Sequence, residues 1–234
     1  MQIDTTTAQV NSGHLYGLSQ QHLVQYQSVL LEKHTAKAFE KMQQQASLAG
    51  FDMQICSGFR NFDRQCAIWN AKAQGNRPLL NRQNQQLDFQ SLSDTQLVDT
   101  ILIWSALPGA SRHHWGTDID IFDANNIAKA DLQLITTEYQ HDGPCAGLHQ
   151  WLAQHAASFG FYFPFQAGLS GVSPEPWHLS YFPVAKQYLT QFNTQDLQLV
   201  LFNSPVRLKA VLLARLTELV EQYVHFVAPL PKTD

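Results

Sequence analysis

Charge is scarce in this 234-residue chain: Asp, Glu, Lys and Arg make up 15 % of it and the formal net charge is −4. No run of Lys or Arg could track a phosphate backbone, which argues against nucleic acid as a partner. Cysteine is sparse as well. Three residues, Cys56, Cys66 and Cys145, contain no C-x-x-C pair, which speaks against a disulfide framework and a thiolate zinc site; a single Cys56–Cys66 bridge stays open. No apolar stretch is long enough for a membrane span, and the polar start MQIDTTTAQVNSG lacks the basic and apolar regions of an export signal. The expected compartment is the cytoplasm if the chain is complete and the periplasm if a leader has been removed. There is no internal repeat.

What the chain does have is 44 % hydrophobic residues, enough for a sizeable core in one catalytic domain. Apolar residues from Leu31 to Ala49 recur at helical spacing, so residues 28–49 read as an amphipathic helix ended by Gly50. FDMQICSG alternates and reads as a half-buried strand that delivers Arg60 just beyond its end. Further helices are expected over 63–74, from the Ser93 cap to Trp104, and over 147–159, with GNRPLLNRQNQQLDFQ as a surface excursion. TDIDIF predicts a strand with Asp118 and Asp120 on one face and Ile119 and Ile121 on the other. FYFPF and HLSYF are shorter strands. Beyond Pro183 the pattern turns helical, and it ends with Ser204 as cap, Pro205 as first helical residue and a long helix to about Phe226.

The chemistry concentrates in SRHHWGTDID, Ser111 to Asp120, and EPWH, Glu175 to His178. Zinc favours imidazole and carboxylate ligands, and a catalytic site holds it with three of them and keeps a position for water. His113 precedes Gly116 on an expected turn, Asp120 sits on the following strand and His178 starts the next one; the glycine would let the backbone bend so that these side chains converge. Glu175, three residues before His178, can stand beside that water as a general base without being a ligand. The blander alternatives are a satisfied histidine, of which the chain has 10, and a solvated D-x-D strand face. His114 is the strongest decoy for His113, and Trp115 and Trp177 read as packing walls.

These motifs resemble those of a known family. SRHHWGTDID is similar to the S-x-H-x-x-G-x-A-x-D pattern of the metallopeptidases that include the vancomycin-resistance D,D-peptidases and D,D-carboxypeptidases, and EPWH to their E-x-W-H. SGFRNFDRQ, Ser57 to Gln65, resembles their S-G-Y-R-S-x-x-x-Q, and GFYFPF before the E-x-W-H is also typical. The likeness runs from about Leu31 to Phe182. It implies a zinc cofactor on His113, Asp120 and His178, Glu175 as catalytic base, and Arg60 stabilising an oxyanion or holding a substrate carboxylate. Ser111 and Gln65 would contact substrate or support those that do.

Two positions depart from the pattern. Asp118 stands where a small residue is expected, and three roles are open to it: orienting a ligand, adding negative charge, or competing as a ligand. Phe59 replaces the usual tyrosine. The implied fold is α+β, a small mainly antiparallel sheet carrying the zinc site and flanked by helices. Residues 1–188 would form the peptidase domain, and 189–234 a helical extension packed on it. The implied reaction is hydrolysis of the terminal peptide bond of a peptidoglycan stem peptide, releasing D-alanine. An L,D-carboxypeptidase, a D,D-dipeptidase or an endopeptidase would use the same chemistry; a zinc-bearing binding module without turnover is the alternative from another class.

Overall fold

A computed structural model describes residues 12–232, and most of the polar start lies outside the described residues. Four strands make the central sheet: β3 (Met53–Ser57), β6 (Asp118–Asp123), β8 (His178–Tyr181) and β7 (Phe161–Tyr162), side by side in that order and antiparallel throughout. Two small hairpins stand apart from it, β1 (Leu23–Tyr26) with β2 (Val29–Glu32), and β4 (Leu79–Leu80) with β5 (Gln86–Leu87). The helices are α1 (Lys33–Leu48), α2 (Phe62–Ala73), α3 (Asp94–Leu102), α4 (Ala146–His155), α5 (Phe182–Gln191), α6 (Thr194–Phe202), α7 (Lys209–Ala214) and α8 (Leu216–Val220). This is the α+β fold expected, and no described helix is long and apolar enough to cross a membrane.

Strand alternation divides the sheet into two chemically different faces. Ile55, Ile119, Ile121 and Leu179 join Phe39 and Met42 of α1 and Leu148 and Leu152 of α4 in one core. Asp118, Asp120 and Ser180 point the other way, yet every residue of β6 is buried, so the polar face lies inside the protein rather than against water. A second core joins α2, α3 and α6–α8 around Trp69, Ile101, Leu197 and Leu212, so the C-terminal helices share their apolar interior with helices that flank the site.

Several expected elements are corrected. The helix expected over 28–49 begins only at Lys33, because Val29–Glu32 pair with Leu23–Tyr26 across a two-residue turn. The Glu32 carboxylate caps α1, accepting from the His34 and Thr35 N–H groups. The surface excursion contains β4 and β5. Ser204 does not cap a long helix: its hydroxyl donates back to the Leu201 carbonyl, and α7 starts instead after Leu208 in the left-handed conformation at φ 63. α8 runs into a π-helical turn, Glu221–His225. The three cysteines are all free, so the Cys56–Cys66 bridge is absent. The capping box at Ser93 forms as its sequence suggests.

Candidate metal centre and active site

Register brings the first two candidate ligands together. Asp120 on β6 lies directly opposite His178 on β8, as a cross-strand pair whose side chains share the polar face. His113 comes from a short 3-10 turn, Arg112–Trp115, that Gly116 closes at φ 68. A Cβ at Gly116 would sit 2.8 Å from the Glu32 backbone nitrogen, which donates to the Gly116 carbonyl, so glycine is needed both for the conformation and for the close approach. One ligand atom each from His113, Asp120 and His178 falls within 4.8 Å of the others, and all three residues are buried.

Hydrogen bonding fixes which nitrogen of each ring is left open. His113 Nδ1 faces the Gly58 carbonyl at 2.9 Å, which makes it the donor and leaves Nε2 with a lone pair, 3.4 Å from Asp120 Oδ2. His178 Nε2 donates to Asp118 Oδ1 at 2.9 Å, leaving Nδ1 open at 3.1 Å from Asp120 Oδ1. Neither Asp120 Oδ1 nor His178 Nδ1 has a hydrogen-bond partner among the described residues, although both are buried. Buried polar atoms without partners are costly, and two of them turned toward one point suit a cation. Two imidazole nitrogens and a carboxylate oxygen are also the donor set zinc prefers.

Asp118 is not among these atoms. Its Oδ1 accepts from Arg112 Nε at 2.8 Å as well as from His178, and its Oδ2 accepts from the Thr117 and Ser180 hydroxyls. Of the three roles open to Asp118, the hydrogen bonding therefore matches the orienting one. Burial would push its carboxyl pKa up, and Arg112 with His178 more than reverses this, holding it well below the usual range. Arg112 was not singled out in the sequence. It is buried, sits 4.7 Å from the Trp115 ring centroid, and also donates to Ser180.

Glu175 Oε2 stands 3.4 Å from His178 Nδ1, with 14 % of its side chain open to the cavity. Burial lifts its carboxyl to about 7, against the pull of His178 and Arg60. Arg60 donates to Gln65 Oε1 at 2.8 Å and to Ser57, and has no carboxylate ion-pair partner among the described residues. Gln65 in turn donates to the Ala106 carbonyl at 2.7 Å and is fully buried. It is not among the residues that line the cavity, and of the two roles open to it, contacting substrate or supporting a group that does, its bond to Arg60 matches the second. Ser111 does line the cavity, and its hydroxyl makes no cap bond to the turn that follows.

His114 is a strut. Its Nε2 accepts from the Gly109 N–H at 3.1 Å and its Nδ1 donates to the Arg60 carbonyl, while burial pushes its pKa down to about 3. The cavity lined by Arg60, Ser111, His113, Asp120, Glu175 and His178 measures about 300 Å³, at the small end for ligand sites. Trp104, Val172 and Tyr223 also line it, and nothing in the sequence pattern marked them.

The family described as VanY, D-alanyl-D-alanine carboxypeptidase, matches residues 28–184. An uncharacterized protein of Haemophilus influenzae is 34 % identical over 121 residues, which cover 50 % of this chain and 92 % of that protein. Among solved structures, VanYB in complex with D-alanine-D-alanine has a TM-score of 0.51 at 20 % identity, covering 73 % of this chain and 83 % of its own. A VanY variant in complex with Zn(II) scores the same, with 86 % of that chain covered. The LD-carboxypeptidase LdcB scores 0.50 at 20 % identity, with 73 % of each chain covered. At these identities the structural likeness shows a shared fold.

Proposed function

The chain belongs to the VanY family of D-alanyl-D-alanine carboxypeptidases, and on that footing we propose that it is a zinc peptidase hydrolysing the C-terminal peptide bond of peptidoglycan stem peptides. The observation that carries this reading is the buried triad His113, Asp120 and His178, with two unpartnered atoms turned to one point and Glu175 beside them. A non-catalytic zinc module would need no such carboxylate at the cavity edge.

Zinc bound at His113 Nε2, Asp120 and His178 Nδ1 would polarise the scissile carbonyl and lower the pKa of water to about 7. Glu175, which lines the cavity beside these residues, would accept a proton at its carboxylate from the attacking water and return it to the departing amine. Burial helps by raising its affinity for the proton it must hold between the two steps. Arg60, a cation without an ion-pair partner among the described residues, offers its planar fork to an anionic oxygen, and the Gln65–Ala106 bond keeps that fork aimed. Ser111 adds an uncommitted hydroxyl at the same cavity. The Gly58 carbonyl and Asp118 hold the two imidazoles in the tautomers that leave a lone pair open.

The test is mass spectrometry of defined muropeptides after incubation with the zinc-loaded chain. Loss of one alanine from a pentapeptide ending in D-Ala-D-Ala supports the D,D-carboxypeptidase reading. Loss from the tetrapeptide instead moves the assignment to L,D-carboxypeptidase. Cleavage of neither, with zinc bound, contradicts it.

A further inference from the structure

The catalytic cavity is closed on one side by residues outside the segment matched by the family. Tyr223 belongs to the π-helical turn after α8, some forty positions beyond residue 184, yet it lines the same cavity as Arg60, Ser111 and Glu175. π-helical turns are rare and concentrate at functional sites. Backbone contacts fix this one in place. The Gly171 N–H donates to the Phe226 carbonyl at 3.3 Å, and any Cβ at Gly171 would collide with the Gln222 carbonyl oxygen. Arg82 of the β4–β5 hairpin donates to the Gly171 carbonyl at 3.2 Å, and the Ser173 N–H to the Ile103 carbonyl at 3.1 Å. The turn that carries Tyr223 and the loop that carries Val172 are thus bound to each other and to the end of α3.

Position along the cavity follows from shared neighbours. Ala106, Ala110, Val172 and Tyr223 line the cavity and also a narrow void of about 10 Å³ behind it, backed by Leu219 and Val224. A void of that size is at the lower limit for one water, so the wall is closely packed from behind. Ala110 immediately precedes Ser111, and the Ala106 carbonyl holds the Gln65 amide that aligns Arg60. The wall therefore adjoins Ser111 directly and Arg60 through Gln65, the two groups that would meet a terminal carboxylate.

We propose that Tyr223, with Ala106, Ala110 and Val172, is the end wall of the pocket for the released residue, and that it restricts this residue to a small side chain at the end of its peptide. The inference rests on the peptidase reading above. Its basis is steric, since the Tyr223 hydroxyl makes no hydrogen bond among the described residues. A hydrophobic pocket discriminates by roughly 10- to 200-fold for each methylene it must reject.

The experiment compares kcat/KM on two otherwise identical stem peptides, one ending in D-Ala and one in D-Leu, using the zinc-loaded full chain. In Tyr223→Ala the D-Leu to D-Ala ratio is expected to rise at least tenfold, chiefly through KM, while Tyr223→Phe keeps the wild-type ratio. Tyr223→Leu, which retains packing on Leu219 and Val224, is expected to shift the ratio in the same direction and serves if the alanine variant does not fold. An unchanged ratio in a folded Ala or Leu variant that still releases D-Ala overturns the proposal, as does a Phe variant that shifts it as far as Ala. Failure of the wild type to release a terminal residue from either peptide overturns the peptidase reading itself, and is distinguishable because it precedes any comparison of variants.

Discussion

Asp118 Oδ1 accepts from His178 Nε2 at 2.9 Å and from Arg112 Nε at 2.8 Å, so one buried carboxylate oxygen both sets the tautomer of a candidate ligand and neutralises a buried cation. The two jobs can be separated. Asp118→Ala is expected to destabilise the fold by about 3–5 kcal/mol, because it leaves Arg112 buried and unpaired. It should also weaken zinc affinity about 10- to 100-fold through the loss of the histidine's partner. Adding Arg112→Met removes the unpaired cation, so the double variant should recover much of the stability and none of the zinc affinity. Denaturation and zinc titration of the wild type and the two variants check this; joint recovery of both properties would contradict it.

Gly116 shapes the turn between His113 and Asp120, and Gly168 supplies a comparison. Both have positive φ, at 68 and 72, but a side chain at Gly168 would meet nothing within 4 Å, whereas one at Gly116 would strike the Glu32 backbone and Leu23. Each alanine substitution carries the left-handed cost of about 1–2 kcal/mol. Only Gly116→Ala is expected to lower zinc affinity, by tenfold or more, since the clash must shift the turn that carries His113. Equal zinc affinities in the two variants would argue against that role for the turn.

Glu32 ties stability to pH. Burial would raise its carboxyl pKa, but the N–H groups of His34 and Thr35 outweigh this and set it below the ordinary value of 4.5. A folded pKa below the unfolded one means that the stabilisation is complete above about pH 4.5 and is lost as pH falls through the folded value. Glu32→Ala should cost about 1 kcal/mol at pH 7, or about 2–4 °C in Tm. The gap to wild type should narrow as the pH is taken below 4. Thermal melts across that range check it, and a gap that stays constant with pH would assign the loss to packing instead.

The candidate triad His113, Asp120 and His178 was legible in the sequence because metal chemistry admits few residue types, and strand alternation alone put Asp118 and Asp120 on one face. The hairpin of β1 and β2 was not, because its two-residue turn places Gln27 at φ 48 where glycine or asparagine usually signals a turn. Likewise, Leu208 at φ 63 begins α7 without a residue that marks a left-handed position, which is why the pattern from Ser204 onward read as one helix. The role of Arg112 needed the fold: six residues from Asp118, it finds that partner only through the turn at Gly116. Tyr223 reaches the cavity through packing of the π-helical turn Glu221–His225 and Phe226 on the loop at Gly171, a tertiary relation that no local pattern encodes.

The most direct measurement is paired zinc content and pentapeptide turnover in wild type and Glu175→Ala. Glu175 touches the triad without completing it, so the variant is expected to bind one zinc per chain with little loss of affinity while release of the terminal residue falls at least 100-fold. Full turnover in a zinc-loaded Glu175→Ala chain would contradict the assignment of the base, and loss of zinc along with turnover would make Glu175 a ligand instead.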